Sequence, residues 1–325
     1  MGLARASAAA LLALLLATGC TAGRTAAAPA ASPAAGPPPA ARVVASTRLT
    51  PRVVDLVVDS PAVGPHVPVR LLLPRDWAAQ PDRRWPVLYL LHGCCDGYRG
   101  WTRSTDVAAL TATSDVLVVM PDGGPVGFYS DWLRGSPRWE AFHVDELWDL
   151  LRAEYRAGDR RAVAGLSMGG LGALGYAARH PGAFTAAASF SGIAHTRLDD
   201  DEPRRYLDLV RAYGEDPPAL WGDPVADSGA WAAHNPFDLV PALAGTRLYV
   251  ACGDGRPGPF DAPGAPVDAI EAALGRENAA LAAELARRGV PAEVHLYGPG
   301  THTWPYWQRE LHRAWPMLRA SLDAP

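Results

Sequence analysis

Lysine is absent from the sequence, and every one of its 30 basic residues is an arginine. They are opposed by 34 acidic residues, which leaves a formal net charge of only −4, and both signs are spread along the chain. Proteins that bind nucleic acid concentrate positive charge in a patch or a stripe, and this sequence has none. A nucleic-acid partner is therefore not expected.

The sequence also lacks an apolar run near the N-terminus that is long enough to span a membrane. The apolar stretch over residues 8–17 is shorter than the roughly 20 residues of a membrane-spanning helix. It follows Arg5 and precedes small residues and Cys20, which is the order of an export signal. The ending ATGC resembles the lipobox of bacterial lipoproteins, although Ala17 stands where leucine is usual. We predict that residues 1–20 are a lipoprotein signal and that a lipid on Cys20 tethers the exported protein to the outer face of the cytoplasmic membrane; plain secretion is the alternative.

Cysteine is scarce, and beyond Cys20 only Cys94, Cys95 and Cys252 remain. Because three is an odd number, at least one thiol is expected to stay free even in an oxidising compartment. The adjacent pair could close a disulfide, but we interpret it as two reduced thiols in a tight loop. The sequence also has no H-E-x-x-H, no paired C-x-x-C and no G-x-G-x-x-G between a strand and a helix, so neither a metal nor a cofactor is expected.

The organisation of the chain follows from its composition. An Ala/Pro-rich segment over residues 21–45 is predicted to be a linker, and residues 46–325 are predicted to form one catalytic domain. Helical patterns over 139–156 and 269–288 separate short apolar runs, and the central six runs are predicted to form a parallel sheet with helices on both faces. Its ligand crevice should lie at the carboxyl ends of the strands, under an insertion over residues 194–241. The eight runs cover residues 53–58, 67–73, 86–93, 115–124, 161–167, 184–192, 246–255 and 292–300.

Ser167 is the candidate nucleophile. Residues 165–169 read G-x-S-x-G between an apolar run and a helical pattern, as in a nucleophile elbow, where glycines on either side of the serine let strand and helix approach closely. The alternative is an ordinary turn serine. If the elbow is correct, the backbone N–H of Met168 supplies one donor of an oxyanion hole.

A serine hydroxyl needs a base, and the base needs an acid to orient it. Of the nine histidines, His302 lies in a Gly/Pro loop between the last strand and the last helix, where this fold delivers its base. His195 and His234 lie in the insertion and are candidates for lining the crevice. Two acidic residues are candidates for the acid that orients the base. Asp254 follows the strand before the last one, Glu271 lies at the start of the next helix, and position alone favours Asp254.

Several stretches together carry a family resemblance. They look like the esterase D family of α/β-hydrolases, and closely like its mycolyltransferase (antigen 85-like) branch. The resemblance implies an α/β-hydrolase fold, a Ser167, Glu271 and His302 triad with Asp254 as the alternative acid, and the Cys94 N–H as the second oxyanion donor. The stretches are YLLHG (89–93), Trp101, FYSDW (128–132), GLSMGG (165–170), YVACGDG (249–255), IEAALGREN (270–278) and GTHTWPYW (300–307).

The same resemblance marks where this chain departs from the branch. In the trehalose-using enzymes an aspartate that contacts the sugar stands at the position of His92. An arginine stands at the position of Cys95. Both positions are predicted to line the substrate here, as is Trp304. Trp132 resembles a second crevice-lining aromatic, with core packing an equally good interpretation. Cys252 matches a buried cysteine near the acid.

The expected function is therefore an exported serine esterase that works through an acyl-enzyme on a small-molecule, lipid or carbohydrate ester. An acyltransferase that moves the acyl group to a carbohydrate or lipid hydroxyl is the alternative, because both activities use the same catalytic groups. A non-catalytic envelope binding protein of the same fold is the third hypothesis.

Overall fold

The computed structural model describes residues 40–323. The predicted signal, its Cys20 and most of the predicted linker lie outside these residues. Within them, the short Val/Leu-rich runs form a single mixed sheet of nine strands in the order β1-β2-β3-β5-β4-β6-β7-β8-β9. The strands are β1 (Arg42–Arg48), β2 (Val53–Ser60), β3 (Gly64–Leu72), β4 (Trp85–Leu91), β5 (Leu117–Pro121), β6 (Ala157–Leu166), β7 (Ala186–Phe190), β8 (Arg247–Cys252) and β9 (Glu293–Leu296).

Ten α-helices accompany this sheet in the described residues. The pattern predicted over 139–156 forms two helices joined by a π-helical turn over Phe142–Glu146, and the pattern over 269–288 forms one continuous helix. The helices are α1 (Gly100–Ser104), α2 (Val107–Leu110), α3 (Trp139–Ala141), α4 (Leu147–Glu154), α5 (Met168–Arg179), α6 (Glu202–Ala212), α7 (Pro217–Trp221), α8 (Ser228–Ala233), α9 (Ala269–Arg288) and α10 (Trp304–Asp323).

The sheet is covered on both faces. Successive side chains of a strand point to opposite faces, and in β4 the side chains of Val87 and Tyr89 enter one core while that of Leu88 enters the other. The first core contains the apolar faces of α4, α5, α6 and α9, and the second contains those of α1, α2 and α10. This is the α/β-hydrolase arrangement that the sequence resemblance implied. No helix in residues 40–323 combines the length and the apolar character needed to cross a bilayer.

The direction of two strands differs from the prediction. The run over 67–73, expected to be parallel, forms β3, which pairs antiparallel with both β2 and β5. The parallel set is β5-β4-β6-β7-β8-β9, so it includes the edge strand β9 instead. The connection from β2 to β3 is only a tight turn, which can join antiparallel strands alone, whereas α9 supplies the crossover that a parallel β9 requires.

The start of the fold also differs. β1 begins at Arg42, so the last residues assigned to the linker, 42–45, belong to the sheet. This strand pairs antiparallel with β2 at the edge of the sheet, and most of its side chains are exposed. Its composition therefore carries little of the apolar signal by which the other strands were predicted.

Candidate active site

Ser167 lies at the sharp turn between β6 and α5. Its backbone has φ 53° and ψ −120°, a conformation that is costly for a residue with a side chain. The glycines around it are required by contact. A Cβ on Gly165 would lie 2.2 Å from the Gly169 carbonyl oxygen, and one on Gly169 would lie 2.5 Å from the Leu91 carbonyl oxygen. The G-x-S-x-G sequence thus forms the elbow geometry, with the serine side chain at the carboxyl end of the parallel strands.

His302 is held by two acids at the loop between β9 and α10. Its Nδ1 lies 2.7 Å from Glu271 Oε2, and its backbone N–H donates to Asp268 Oδ2 at 2.9 Å. The other oxygen of Asp268 caps α9 by accepting the backbone N–H groups of Ile270 and Glu271. One side chain therefore joins the histidine loop to the helix that carries Glu271. Sequence reasoning missed Asp268, although an aspartate followed three residues later by a glutamate is a helix-start signal.

Glu271 is fully buried, and both of its oxygens are occupied. While Oε2 faces His302, Oε1 accepts from the Ser191 hydroxyl at 2.7 Å and from the Gly253 backbone N–H at 2.6 Å. Burial by itself raises the pKa of a carboxyl, but the hydrogen bond and charge of His302, with the donors on Oε1, outweigh it and lower the pKa of Glu271 below its ordinary value. Glu271 is therefore ionised beside the imidazole. Ser191 and Gly253 are long-range partners that no sequence signal marks.

Asp254, the acid favoured by position alone, is engaged elsewhere. Its carboxylate forms an ion pair with Arg256 at 2.6 Å, and its backbone N–H donates to the Gly298 carbonyl. None of its hydrogen bonds in the described part of the chain reaches His302.

Two backbone donors beside Ser167 are unused. Among the hydrogen bonds of residues 40–323, none involves the N–H of Met168 or the N–H of Cys94, whereas the Ser167 N–H donates to Phe190 and the Cys95 N–H to Pro125. Likewise, no hydrogen bond of these residues engages His302 Nε2 or joins it to Ser167 Oγ. The imidazole nitrogen and the two N–H groups therefore remain available to a bound molecule.

Two cavities meet at this point, and Ser167, His302, Cys94 and Cys95 line both of them. The larger, of about 640 Å³, runs between α6 and α9 and is mainly apolar, with Leu209, Ile270 and Leu274 in its walls. The smaller, of about 330 Å³, is more polar and contains Asp96, Arg103 and Trp304. Because α6 lines the larger cavity, the insertion over 194–241 contributes directly to the site. Within residues 40–323, this site included, no three His, Cys, Asp or Glu side chains form a group that could hold a metal ion.

Of the four side chains predicted to line the substrate, Cys95 and Trp304 reach the cavities and two do not. His92 is 1% exposed, with Nδ1 on the Gly93 carbonyl and Nε2 accepting the Gly123 N–H, so it braces the loop. Trp132 packs in the core and donates to the Gly127 carbonyl, which is the alternative interpretation given for it. The structure therefore places the His92 ring outside both cavities, with both of its nitrogens bonded to the main chain.

The state of the cysteines also corrects the prediction. Cys94 and Cys95 form a disulfide instead of two thiols, because the backbone at Cys95 turns to φ 68° and brings the two side chains together. Cys252 is the free thiol; it is buried against Glu271, and burial and that carboxylate raise its pKa well above the ordinary value. The insertion histidines do not line either cavity. His195 stacks on Phe237 and His234 on Trp221.

Comparison with known proteins gives the same family as the resemblance. The Esterase family model matches residues 60–318. Esterase Rv1288 of Mycobacterium tuberculosis is 34% identical over 256 residues, which is 75% of this chain and 54% of that protein, so the chain spans about half of this relative's length. Diacylglycerol acyltransferase/mycolyltransferase Ag85B of Mycobacterium intracellulare is 32% identical over 253 residues, covering 74% of this chain and 76% of that protein.

A solved structure agrees with these sequences. The crystal structure of MPT51 (FbpC1) from Mycobacterium tuberculosis matches with a TM-score of 0.71 and 25% identity, covering 82% of this chain and 98% of that chain. The family match, the two relatives and this structure confirm the likeness to the antigen 85 branch and the α/β-hydrolase fold. The chain belongs to the Esterase family.

Proposed function

We propose that this protein is a serine carboxylesterase in which Ser167 is the nucleophile, His302 the general base and Glu271 the acid that orients it. The observation that carries the proposal is the 2.7 Å contact between His302 Nδ1 and a buried, ionised Glu271, at a cavity that a serine on a nucleophile elbow also lines. Asp254 is not the acid in this proposal, because its carboxylate is paired with Arg256.

The reaction follows from these positions. When an ester enters the cavity, a hydrogen bond forms between Ser167 Oγ and His302 Nε2, because catalytic hydrogen bonds often tighten only in the substrate complex. The imidazole takes the hydroxyl proton as Oγ attacks the carbonyl carbon. The negative charge on the carbonyl oxygen is stabilised by the free N–H groups of Met168 and Cys94. The imidazolium, stabilised by Glu271, then gives its proton to the leaving alcohol, and water releases the acid from the acyl-enzyme by the same steps.

The two cavities suit the two halves of an ester. The apolar one between α6 and α9 fits an acyl chain, and the smaller one with Asp96, Arg103 and Trp304 fits the alcohol. The sequence resemblance implies that His92 and Cys95 stand where the trehalose-using enzymes of that branch have aspartate and arginine. This difference favours hydrolysis over transfer to that sugar.

Catalysis is tested with Ser167→Ala and His302→Ala on a short p-nitrophenyl ester. Each variant is expected to lose on the order of 10⁴ or more in kcat/KM, because the members of a triad act as a unit. Ser228→Ala and His312→Ala are matched controls on the surface of α8 and α10, and they are expected to keep wild-type rates. Turnover within tenfold of wild type in Ser167→Ala would reject the proposal.

An acyltransferase is the second candidate, supported by the acyltransferases among the relatives and by the polar second cavity. The two functions separate by product partition. With a fixed ester and rising concentrations of a polyhydroxylated alcohol, a hydrolase releases the free acid throughout, whereas a transferase forms the new ester at the expense of the acid. A non-catalytic binding protein would produce neither the free acid nor the new ester.

We also propose that the protein is exported and held at the outer face of the membrane by a lipid on Cys20. The support is the order of Arg5, the apolar stretch 8–17 and Cys20 in the sequence. Cys20→Ser is expected to remove the lipid, measured as the loss of the acyl mass from the N-terminal peptide, and to shift the protein from the membrane fraction to the medium. Wild-type protein that is found in the medium and carries no acyl mass on its N-terminal peptide would favour plain secretion.

A further inference from the structure

The Cys94–Cys95 disulfide lies between the two cavities, next to Ser167 and His302. It belongs to the loop after β4, which packs directly against the elbow. A Cβ on Gly93 would lie 3.2 Å from Ser167 Cβ and 2.6 Å from a Leu166 methyl group. Any movement of this loop therefore changes the surroundings of the nucleophile.

The main chain on the two sides of the disulfide is anchored differently. The Cys95 N–H donates to the Pro125 carbonyl at 3.0 Å, which fixes the peptide group between the two cysteines. The Cys94 N–H has no hydrogen-bond partner among residues 40–323, but its peptide group is held from the other side, because the Gly93 carbonyl accepts from His92 Nδ1 at 2.7 Å. The disulfide closes a ring across the same peptide group and thereby ties the Cys94 side chain to the anchored Cys95. The ring restricts the backbone torsions of Cys94 and so adds a covalent constraint to the one that His92 places on the Cys94 N–H.

We propose that the Cys94–Cys95 disulfide is a positioning element of the oxyanion hole, which holds the Cys94 N–H toward the developing oxyanion. The inference rests on the proposed function and goes beyond it, because it makes the rate depend on the redox state of this pair. A dithiol reductant supplies two electrons and two protons, so that the S–S bond breaks into two thiols and the dithiol becomes a cyclic disulfide. Cys94 then loses the added constraint of the ring, whereas the hydrogen bonds that hold His302 and Glu271 do not involve the disulfide.

The free thiol of Cys252 is not expected to interfere with a test of this proposal. Cys252 is buried and its pKa is raised, so it resists reagents that reach the exposed Cys95 in the cleft. Alkylation with iodoacetamide after reduction of the native protein is expected to modify Cys94 and Cys95 and to spare Cys252. Mass spectrometry of the peptides therefore reports how completely the pair has been reduced.

The experiment measures kcat and KM for a p-nitrophenyl ester in the oxidised enzyme, in the reduced enzyme after anaerobic removal of reductant, and after reoxidation with diamide. Reduction is expected to lower kcat about 10-fold with little change in KM, which is less than the roughly 10²–10³ lost when an oxyanion donor is deleted. Reoxidation is expected to restore kcat. The double variant Cys94→Ser, Cys95→Ser should have the low kcat of the reduced enzyme and no response to reductant.

An unchanged kcat in enzyme whose peptides show full reduction would overturn the inference, and so would a double variant that keeps wild-type kcat or still loses activity on reduction. If the double variant does not fold, the reversible reduction of the wild-type protein still decides. Labelling by a fluorophosphonate separates the two proposals. An oxidised enzyme that neither hydrolyses the ester nor labels at Ser167 refutes the proposed function, whereas one that does both at rates independent of reductant refutes only the role of the disulfide.

Discussion

At the scale of single residues, the hydrogen-bond partners of the two candidate acids favour Glu271 over Asp254. Glu271 touches His302, and Asp254 is paired with Arg256. Glu271→Gln should therefore lower kcat by up to about 10⁴, the loss typical of an acid-to-amide change that puts the imidazole in the wrong tautomer. Asp254→Asn is the matched control and should stay within about threefold of wild type, since its side chain is outside the triad. A larger loss in Asp254→Asn would transfer the role to Asp254.

Sequence could predict part of this site and not the rest. The elbow around Ser167 and the loop of His302 carry local patterns, and both residues line the predicted crevice. Glu271 came from the resemblance, because position alone favoured Asp254. The donors on Glu271, Ser191 and Gly253, could not be found, since they are 80 and 18 residues away and meet it only through the fold.

At the scale of elements, α9 and the histidine loop are joined by Asp268. Asp268→Ala removes both the helix cap and the bond to the His302 N–H, so it should lower the free energy of unfolding by about 1 kcal/mol and also lower kcat. Asp268→Asn keeps an oxygen for the cap but offers the loop an amide group that cannot accept. It should have near wild-type stability and a reduced kcat, measured by urea unfolding and steady-state kinetics. Wild-type kcat in Asp268→Asn would show that this bond does not position the imidazole.

Helix α5 offers a comparison between two of its own glycines. Gly169→Ala forces a methyl group against the backbone carbonyls of Leu91 and His92, which should cost roughly 1–3 kcal/mol of stability and displace the elbow. At Gly175 the nearest atoms are the Arg179 guanidinium nitrogens, which pair with Glu140 and have to shift, so Gly175→Ala should destabilise less than Gly169→Ala, with up to about 1 kcal/mol of helix propensity offsetting the loss. Equal stability of the two variants in thermal unfolding would contradict the close contact at Gly169.

Eight of the nine strands were predictable in place, but the directions of β3 and β9 were not. β3 has apolar side chains in both cores, so its pattern matches that of a buried parallel strand although it pairs antiparallel. β9 is mostly exposed, and its direction is set by the crossover through α9. The disulfide likewise depends on the local turn at Cys95, a backbone angle that composition does not reveal.

At the scale of the whole molecule, a buried glutamate joins the insertion to α9. Glu277 accepts the backbone N–H groups of Ala194 and His195 and the hydroxyl of Tyr206. Burial raises its pKa from 4.5 to about 8, with the nearby Glu202 carboxyl adding to the rise. The folded protein therefore holds this proton more tightly than the unfolded chain does. The resulting stabilisation is complete below pH 4.5 and is lost as the pH rises toward 8.

Glu277→Gln removes this titration, so its free energy of unfolding should decline less than that of wild type between pH 5 and pH 9. Glu284→Gln, on the same helix, is the control. The pKa of Glu284 is lowered to about 2 by its hydrogen bonds to Arg287 and Arg288, so its contribution changes only below pH 4.5. Urea unfolding across this pH range should show the Glu284→Gln curve parallel to wild type. A Glu277→Gln curve that is also parallel would contradict the raised pKa.

The central claim is that Ser167 is a nucleophile activated by His302, and covalent labelling tests it most directly. Because the chain has no lysine, trypsin cuts at arginine alone, and the peptide over residues 162–179 contains Ser167 as its one serine. After exposure of the folded protein to a fluorophosphonate, mass spectrometry should find one adduct per chain, on this peptide, with labelling strongly slowed in His302→Ala. An unlabelled peptide, or His302→Ala labelled at the wild-type rate, would contradict the account.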